Sequence, residues 1–394
     1  MSTPTRQIPV AKPVLGEPEA EAARRAILSG WVTQGPEVAQ FEQEFAAFVG
    51  ARHACAVSNC TTALHLALMA VGVGAGDEVI TVSHSFIATP NAIRYCGATP
   101  VFVDIEADGF NIDPGKIIAA ISPRTRAILC VHQLGMPCDL RQILKIARQF
   151  QLKVVEDAAC ATGSEVLWNG KWERVGRPHA DVACFSFHPR KVVTTGDGGM
   201  LTTAIGEYDR QFRLLRQHSM NVPDTVRHGS KQVIFEEYDS VGFNYRMTDV
   251  QAAIGRTQLG RLPEIVAARR RLAALYTELL SKIDGIRPPV EPEWARSNWQ
   301  SYCVGLPRQA DQVSIMQAML DRGVSTRRGV MNAHLEPAYH GSGLCRTVGY
   351  LDNSVAAQNT AIMLPLFVQM SEDDVRYVVT ALEEALTESL VPAL

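Results

Sequence analysis

Residues 185–199 read FSFHPRKVVTTGDGG, and the lysine inside that stretch decides how the chain is read. Lys191 follows an apolar, aromatic run with strand character and precedes a glycine-rich turn. Upstream, residues 153–160 read KVVEDAAC and end a second apolar run on Asp157, with Glu156 beside it as the solvated member of the pair. Taken singly, a lysine is mostly a surface residue and an acid at a strand end mostly a helix cap. Within residues 185–188, Ser186 and His188 alternate with Phe185 and Phe187, so one face of the run is polar.

The surrounding chain alternates short apolar runs with helical stretches. ACAVSN (54–59), EVITVS (78–83), TPVFVDI (99–105), RAILCVHQ (126–133), LKVVED (152–157) and ADVACFSF (180–187) read as strands. TTALHLALMAVG (61–72), PNAIRYCG (90–97) and DLRQILKIARQF (139–150) read as helices between them. Such alternation predicts an α/β fold with a mostly parallel sheet covered on both faces. Ligands of such sheets collect at the carboxyl ends of the strands, where Ser58, Asp157 and Ser186 fall. Two helices are predicted within residues 17–50, separated by a turn at Gly35-Pro36. One helix is predicted from near Met247 and another from near Pro263. A smaller α+β domain follows, with the strand QSYCVGL (300–306) and helices over 312–323 and 371–386. The expected division is a large domain over 1–259 and a small one over 260–394.

Length and composition fit an ordinary soluble protein of two or three domains: 394 residues, 46% hydrophobic and 20% charged. The net charge of −3 gives no electrostatic case for nucleic acid or anionic membranes. No run approaches the ~20 apolar residues of a membrane span. The first residues lack the apolar core of a signal peptide, so a cytoplasmic location is expected. Nine cysteines without a CxxC pair read as reduced thiols, with no disulfide framework and no metal site.

A lysine and a buried acid at neighbouring strand ends are what a pyridoxal phosphate (PLP) enzyme requires. The lysine amine forms the Schiff base, and the acid keeps the pyridine nitrogen protonated so that the ring accepts electrons. Residues 56–68, AVSNCTTALHLAL, end a strand and open a helix. Helix N-termini expose unpaired N–H groups, so Ser58, Asn59, Cys60, Thr61 and Thr62 form a candidate phosphate seat. Ser186 is a second candidate phosphate ligand. Phe86, in TVSHSFIATPNA (81–92), is a candidate to stack on the cofactor ring. The glycines of GVGAGDE (72–78) follow a helix and precede a strand, which suits a helix-ending turn and not a dinucleotide loop.

The chain resembles the DegT/DnrJ/EryC1/StrS family, PLP-dependent aminotransferases of sugar-nucleotide biosynthesis. The resemblance runs through SGWVTQGPEVAQFEQEFAAFVG (29–50), SNCTTALHLAL, TPVFVDIEADGFNID (99–113), VEDAAC, SFHPRKVVTTGDGG, GFNYRMTDVQAAIG (242–255) and LPLF (364–367). It implies the fold-type-I, aspartate aminotransferase-like architecture. It also implies Schiff-base chemistry at Lys191, a pyridine-nitrogen contact for Asp157, and cycling through pyridoxamine phosphate. Cys60, Thr61 and Ser186 match phosphate-binding positions, and Phe86 the stacking aromatic. Asn244 matches an asparagine that reaches the phosphate of the neighbouring subunit, implying a homodimer with shared active sites. The family usually places Gln or His where this chain has Cys160, near the cofactor's phenolic oxygen.

With Lys191 present, the resemblance implies transamination, with glutamate or glutamine as donor and a nucleotide-linked keto sugar as the expected acceptor. A cyclitol or other non-nucleotide ketone remains an alternative acceptor. A PLP-binding regulatory protein without turnover is the alternative outside catalysis. In GVSTRRGVMNAHLEPAY (323–339), Arg327, Arg328 and His334 fall where relatives place a substrate loop, and paired arginines suit a diphosphate or carboxylate. A solvated basic loop would look the same. His188 and Arg246 are further candidates for contact with substrate.

Overall fold

The alternating runs assemble into an eight-stranded sheet in the computed structural model, which describes residues 6–222 and 230–390. Its strands are β1 (His53–Val57), β2 (Glu78–Val82), β3 (Thr99–Val103), β4 (Thr125–Val131), β5 (Lys153–Asp157), β8 (Val182–Ser186), β9 (Gly199–Thr203) and β13 (Arg346–Thr347). They lie in the order β1-β9-β8-β5-β4-β2-β3-β13. β5 pairs in parallel with β4 and β8, whereas β9 runs antiparallel between β1 and β8. The sequence reading missed β9, a five-residue strand directly behind the glycine-rich turn.

Successive strand residues feed opposite faces. Cys55 and Val57 of β1 pack with helices α3 (Cys60–Ala70), α4 (Ala88–Tyr95) and α7 (Gly206–Leu215). Ala54 and Ala56 face α2 (Pro36–Val49) and the long helix α8 (Asp249–Leu280). Two further helices, α5 (Pro114–Ala120) and α6 (Leu140–Gln149), close that second face over β2 to β5. Both faces are thereby apolar, as a parallel sheet requires.

The two helices expected around Met247 and Pro263 are one helix of 32 residues, with Pro263 in its interior. Proline removes one intrahelical donor, but Leu259, Leu262, Ile265 and Val266, on either side of it, are buried in one cluster. That shared burial keeps the helix continuous, and the expected domain boundary at 259/260 falls inside it. Its start is fixed by a reciprocal cap between Thr248 and Gln251.

Beyond α8 the chain builds a three-stranded sheet from β11 (Tyr302–Gly305), β14 (Ala361–Leu364) and β12 (Arg327–Arg328). It packs with the end of α8, with α9 (Gln312–Asp321) and with α11 (Glu372–Leu390) around Tyr276, Tyr302 and Leu382. Two segments cross between these regions. Ile8 joins the C-terminal core, and β13 returns to extend the large sheet beside β3. A third sheet, β10 (Ala295–Arg296), β6 (Glu165–Trp168) and β7 (Lys171–Arg174), contains a two-residue hairpin at Asn169-Gly170, both with positive φ (50° and 79°). No helix among the described residues is long and apolar enough to cross a membrane.

Candidate functional site

Three strand ends and a helix start meet at one point on the sheet. In register, Val57 of β1 lies beside Gly199 of β9, and Gly199 beside Ser186 of β8. A side chain at Gly199 would meet the Asn59 carbonyl at 2.5 Å, so this position must be glycine for α3 to sit where it does. Asn59 caps that helix, accepting from Thr62 N–H at 3.0 Å. The N–H groups of Cys60 and Thr61, in the first turn, have no intrahelical acceptor and face outward at the positive end of the helix dipole. The Ser58 N–H instead donates to the Tyr245 carbonyl at 2.7 Å, which ties residues 243–246 to this seat.

Asp157 ends β5 and is buried at 5% exposure. Its Oδ2 accepts from the Thr89 hydroxyl at 2.8 Å and its Oδ1 from the Ala159 N–H at 3.1 Å. Burial dominates and raises its pKa, despite lowering contributions from Thr89, Ala159, Lys191 and His132. The solvated role expected for Glu156 is wrong. It is buried at 2% exposure, and the ring Nε2 of the buried His132 donates to it at 2.9 Å. The Cys138 N–H occupies the other ring nitrogen of His132 at 3.0 Å, which assigns the proton to Nε2.

Lys191 is set by a tight turn in which its N–H donates to the His188 carbonyl at 2.8 Å. The turn is closed by the Thr194 hydroxyl and the Thr195 N–H, both donating to the Phe187 carbonyl. The lysine Nζ lies 3.1 Å from the Cys160 sulfur. Burial works against the ammonium charge, but Cys160 and Asp157 outweigh it, and the pKa of Lys191 is raised. Burial likewise pushes the Cys60 thiol well up, so its side chain stays neutral.

This donor set fits PLP. A buried carboxylate held only by neutral donors leaves its charge uncompensated, and a protonated ring nitrogen supplies what it lacks. The free amine and the N–H groups of Cys60 and Thr61 suit the other two ends of the cofactor. Among the described residues no cluster of His, Cys, Asp and Glu suits a metal.

The other expected residues distribute unevenly. Phe86 is 69% exposed, three residues before the Thr89 that holds Asp157. Asn244 is exposed on the segment tied to Ser58. His188 is exposed in the lysine turn, where its Nδ1 accepts from Arg190 N–H at 3.2 Å, and burial lowers its pKa. Arg246 is half-buried next to Met247. His334 is brought to the end of β2 by a 2.6 Å bond to the Ser83 hydroxyl. Arg327 and Arg328 are adjacent on a strand and therefore face opposite ways. Arg328 meets Glu336 at 3.4 Å, whereas Arg327 is near enough to lower the pKa of Arg190, after burial the largest influence on it. The two arginines do not act as one clamp.

Several neighbours escaped the sequence reading. Thr89 sits in the quoted 81–92 stretch but reads as a plain helix residue. Asn298 donates to the Cys160 carbonyl at 2.8 Å, and Gln300 to the Arg190 carbonyl at 2.8 Å. They lie over a hundred residues from the partners they hold, and nothing local in the sequence marks them.

The sequence profile of the DegT/DnrJ/EryC1/StrS aminotransferase family matches residues 13–383. The spore coat polysaccharide biosynthesis protein SpsC of Bacillus subtilis is 37% identical over 385 residues, covering 96% of each chain. GDP-perosamine synthase of Caulobacter vibrioides is 37% identical over 386 residues, 96% of this chain and 98% of its own. The solved PLP form of Spr1654 from Streptococcus pneumoniae superposes with a TM-score of 0.89 at 25% identity, over 98% of this chain and all of that one.

Proposed function

The chain belongs to the DegT/DnrJ/EryC1/StrS aminotransferase family and is a PLP-dependent aminotransferase, and from that premise we propose that it moves an amino group from glutamate or glutamine to a nucleotide-linked keto sugar. The observation that supports the site assignment is the meeting of Lys191, Asp157 and the start of α3 along one edge of the sheet, where β1, β8 and β5 end. A 37% identical relative named for a GDP-sugar product supports the acceptor class.

When bound, PLP supplies an electron sink that stabilises negative charge on the carbon attached to the migrating nitrogen. In this reading Lys191 Nζ holds the cofactor, is displaced by the donor amine, and then takes the proton from the donor α-carbon as general base. The same nitrogen would deliver that proton, as general acid, to the cofactor carbon it had released, water would then free the oxo acid, and the second half-reaction would run the order in reverse with the keto sugar. Asp157 holds the proton on the pyridine nitrogen, with Thr89 and Ala159 fixing the carboxylate. The Cys60 and Thr61 N–H groups and the Ser186 hydroxyl bind the phosphate, and Phe86 covers one face of the ring. Asn244 reaches the phosphate of a partner protomer, which makes a homodimer the working unit. Arg327, on the side of Arg190, is the better placed of the two loop arginines for an anionic group of the substrate, with His334, His188 and Arg246 at the rim.

The test is the visible spectrum of the purified protein with glutamate or glutamine, followed by keto sugars presented with and without a nucleotide. The expected outcome is loss of the PLP band with one donor and its return only with a nucleotide-linked sugar. Return of the band with free keto sugars or cyclitols would replace the proposed acceptor. Bound PLP that answers to no amino donor would remove the reading.

A further inference from the structure

A cavity of about 380 Å³ lies apart from the lysine site, between the loop after β3, the loop after β4 and residues 289–303. None of the candidate site residues lines it. Its walls carry three aromatic rings, Phe110, Trp294 and Trp299, and two carboxylates, Glu106 and Asp108. No lysine, arginine or histidine is among its lining residues, so it offers nothing to a phosphate or carboxylate. Aromatic faces beside carboxylates, without a competing cation, are the surroundings an organic cation prefers.

Glu106 is the half-buried carboxylate that such a ligand would meet. The neighbouring acids Asp113 and Asp139 each accept a helix N–H, at 2.8 and 3.0 Å, but the Glu106 carboxyl has no hydrogen-bond or ion-pair partner recorded among the described residues. Asp108 from its own loop lines the cavity with it, and the buried Cys138 thiol is close enough to feel its charge.

The cavity backs onto a strap that touches the catalytic lysine's neighbours. Ser297, Trp299 and Ser301 line the cavity. The intervening side chains go the other way, Asn298 to the Cys160 and Thr162 carbonyls and Gln300 to the Arg190 carbonyl. Arg269 of α8, buried and without a carboxylate partner, anchors the strap by donating to the Trp299 and Gln300 carbonyls at 2.8 and 2.6 Å. Trp299 holds a positive φ of 52°, a conformation that a non-glycine residue keeps only when its surroundings impose it.

We propose that this cavity binds an organic ammonium ion carrying an apolar ring, and that its occupancy is felt at Lys191 through residues 297–301. The proposal does not depend on the identity of the keto substrate.

Benzyltrimethylammonium, whose charge does not titrate, is the probe, with benzyl alcohol as the uncharged control. On the holoenzyme the expected result is saturable quenching of tryptophan fluorescence by the cation and not by the alcohol. GDP should leave this binding unchanged. Burial, with Asp113 and Asp139, pushes the Glu106 pKa up to about 7. Affinity for the fixed cation should therefore rise between pH 6 and 8 as Glu106 gives up its proton. Glu106→Gln should weaken binding about tenfold and flatten that pH dependence. Trp294→Ala should weaken binding while the protein still takes up PLP. Bound cation should also shift the pH midpoint of the visible band of the PLP held at Lys191. Equal quenching by the alcohol, displacement by GDP, or wild-type affinity in Glu106→Gln would each overturn the site. Saturable binding with an unmoved visible band would overturn the coupling to Lys191.

Discussion

At the scale of single residues, the proposed chemistry turns on how Lys191 holds its proton. Lys191→Ala is expected to abolish transamination while thermal unfolding stays close to wild type, because the turn around it is closed by Thr194 and Thr195 and not by the lysine side chain. Transaminase turnover in that variant, measured with the donor that bleaches the wild-type band, would remove Lys191 from the mechanism. The amine attacks only when neutral. Its raised pKa therefore means that cofactor loading of the apoprotein speeds up as pH rises from 7 towards 10, about tenfold per pH unit below the pKa. Cys160→Ala removes the nearest group that holds the proton on Nζ, so loading at pH 7 is expected to become faster; stopped-flow absorbance checks both. Asp157 bears on stability instead. Its pKa is raised in the fold, so the apoprotein loses stability as pH rises from the unfolded value of 3.8 through the raised one. A protonated ring nitrogen cancels that loss.

At the scale of elements, two stretches far apart in sequence lock each other. Asp249, in the first turn of α8, accepts from the N–H groups of Gly35, Glu37 and Val38 at 2.7, 3.1 and 3.0 Å and so caps α2 from another helix. The 29–50 and 242–255 motifs are thus one structural unit. A second lock joins α2, β1 and α7: Glu42 meets Arg216 and Arg213 and also accepts from the Ala56 N–H at 2.9 Å. Burial raises the Glu42 pKa, but the two arginines outweigh it and the net shift is downward. This lock is therefore at full strength above the unfolded value of 4.5 and is lost as pH falls through the lowered pKa. Glu42→Ala leaves Arg216 buried without a counter-charge and is expected to cost about 3–5 kcal/mol in denaturant unfolding at pH 7. An effect under about 1 kcal/mol would mean that Arg216 finds another partner.

At the scale of the whole molecule, the open question is which chain completes the phosphate seat. Asn244 is exposed, yet its neighbour Tyr245 is bonded to Ser58 of the same chain. Protomers carrying Lys191→Ala and protomers carrying Asn244→Ala are each expected to be weak or inactive. If Asn244 serves a partner's site, mixing and re-annealing them restores one intact site per mixed dimer. Recovery of about a quarter of wild-type activity is expected from random pairing. No recovery from mixed dimers of confirmed composition would place Asn244 in its own protomer's site.

The alternation of apolar runs with helices was enough to specify a covered, mostly parallel sheet, because burial on both faces leaves its pattern along each strand. The placing of Lys191, Asp157 and the start of α3 together was legible for a related reason: strand ends and helix starts have local signatures, and the proposed cofactor site lies where those ends meet. Local pattern could not reveal what depends on distant partners. Glu156 looked solvated until His132 was found against it. Pro263 looked like a helix break until the packing of Leu262 and Ile265 kept the helix whole. Arg327 and Arg328 looked like a pair until strand geometry turned them apart. Asn298, Gln300 and Arg269 carry no motif at all, since carbonyl acceptors exist at every residue and only the fold chooses which are brought near. The sequence by itself determined the architecture and singled out the lysine proposed to react. The tertiary structure alone decided which polar groups are buried together, because that depends on contacts between segments far apart in the chain.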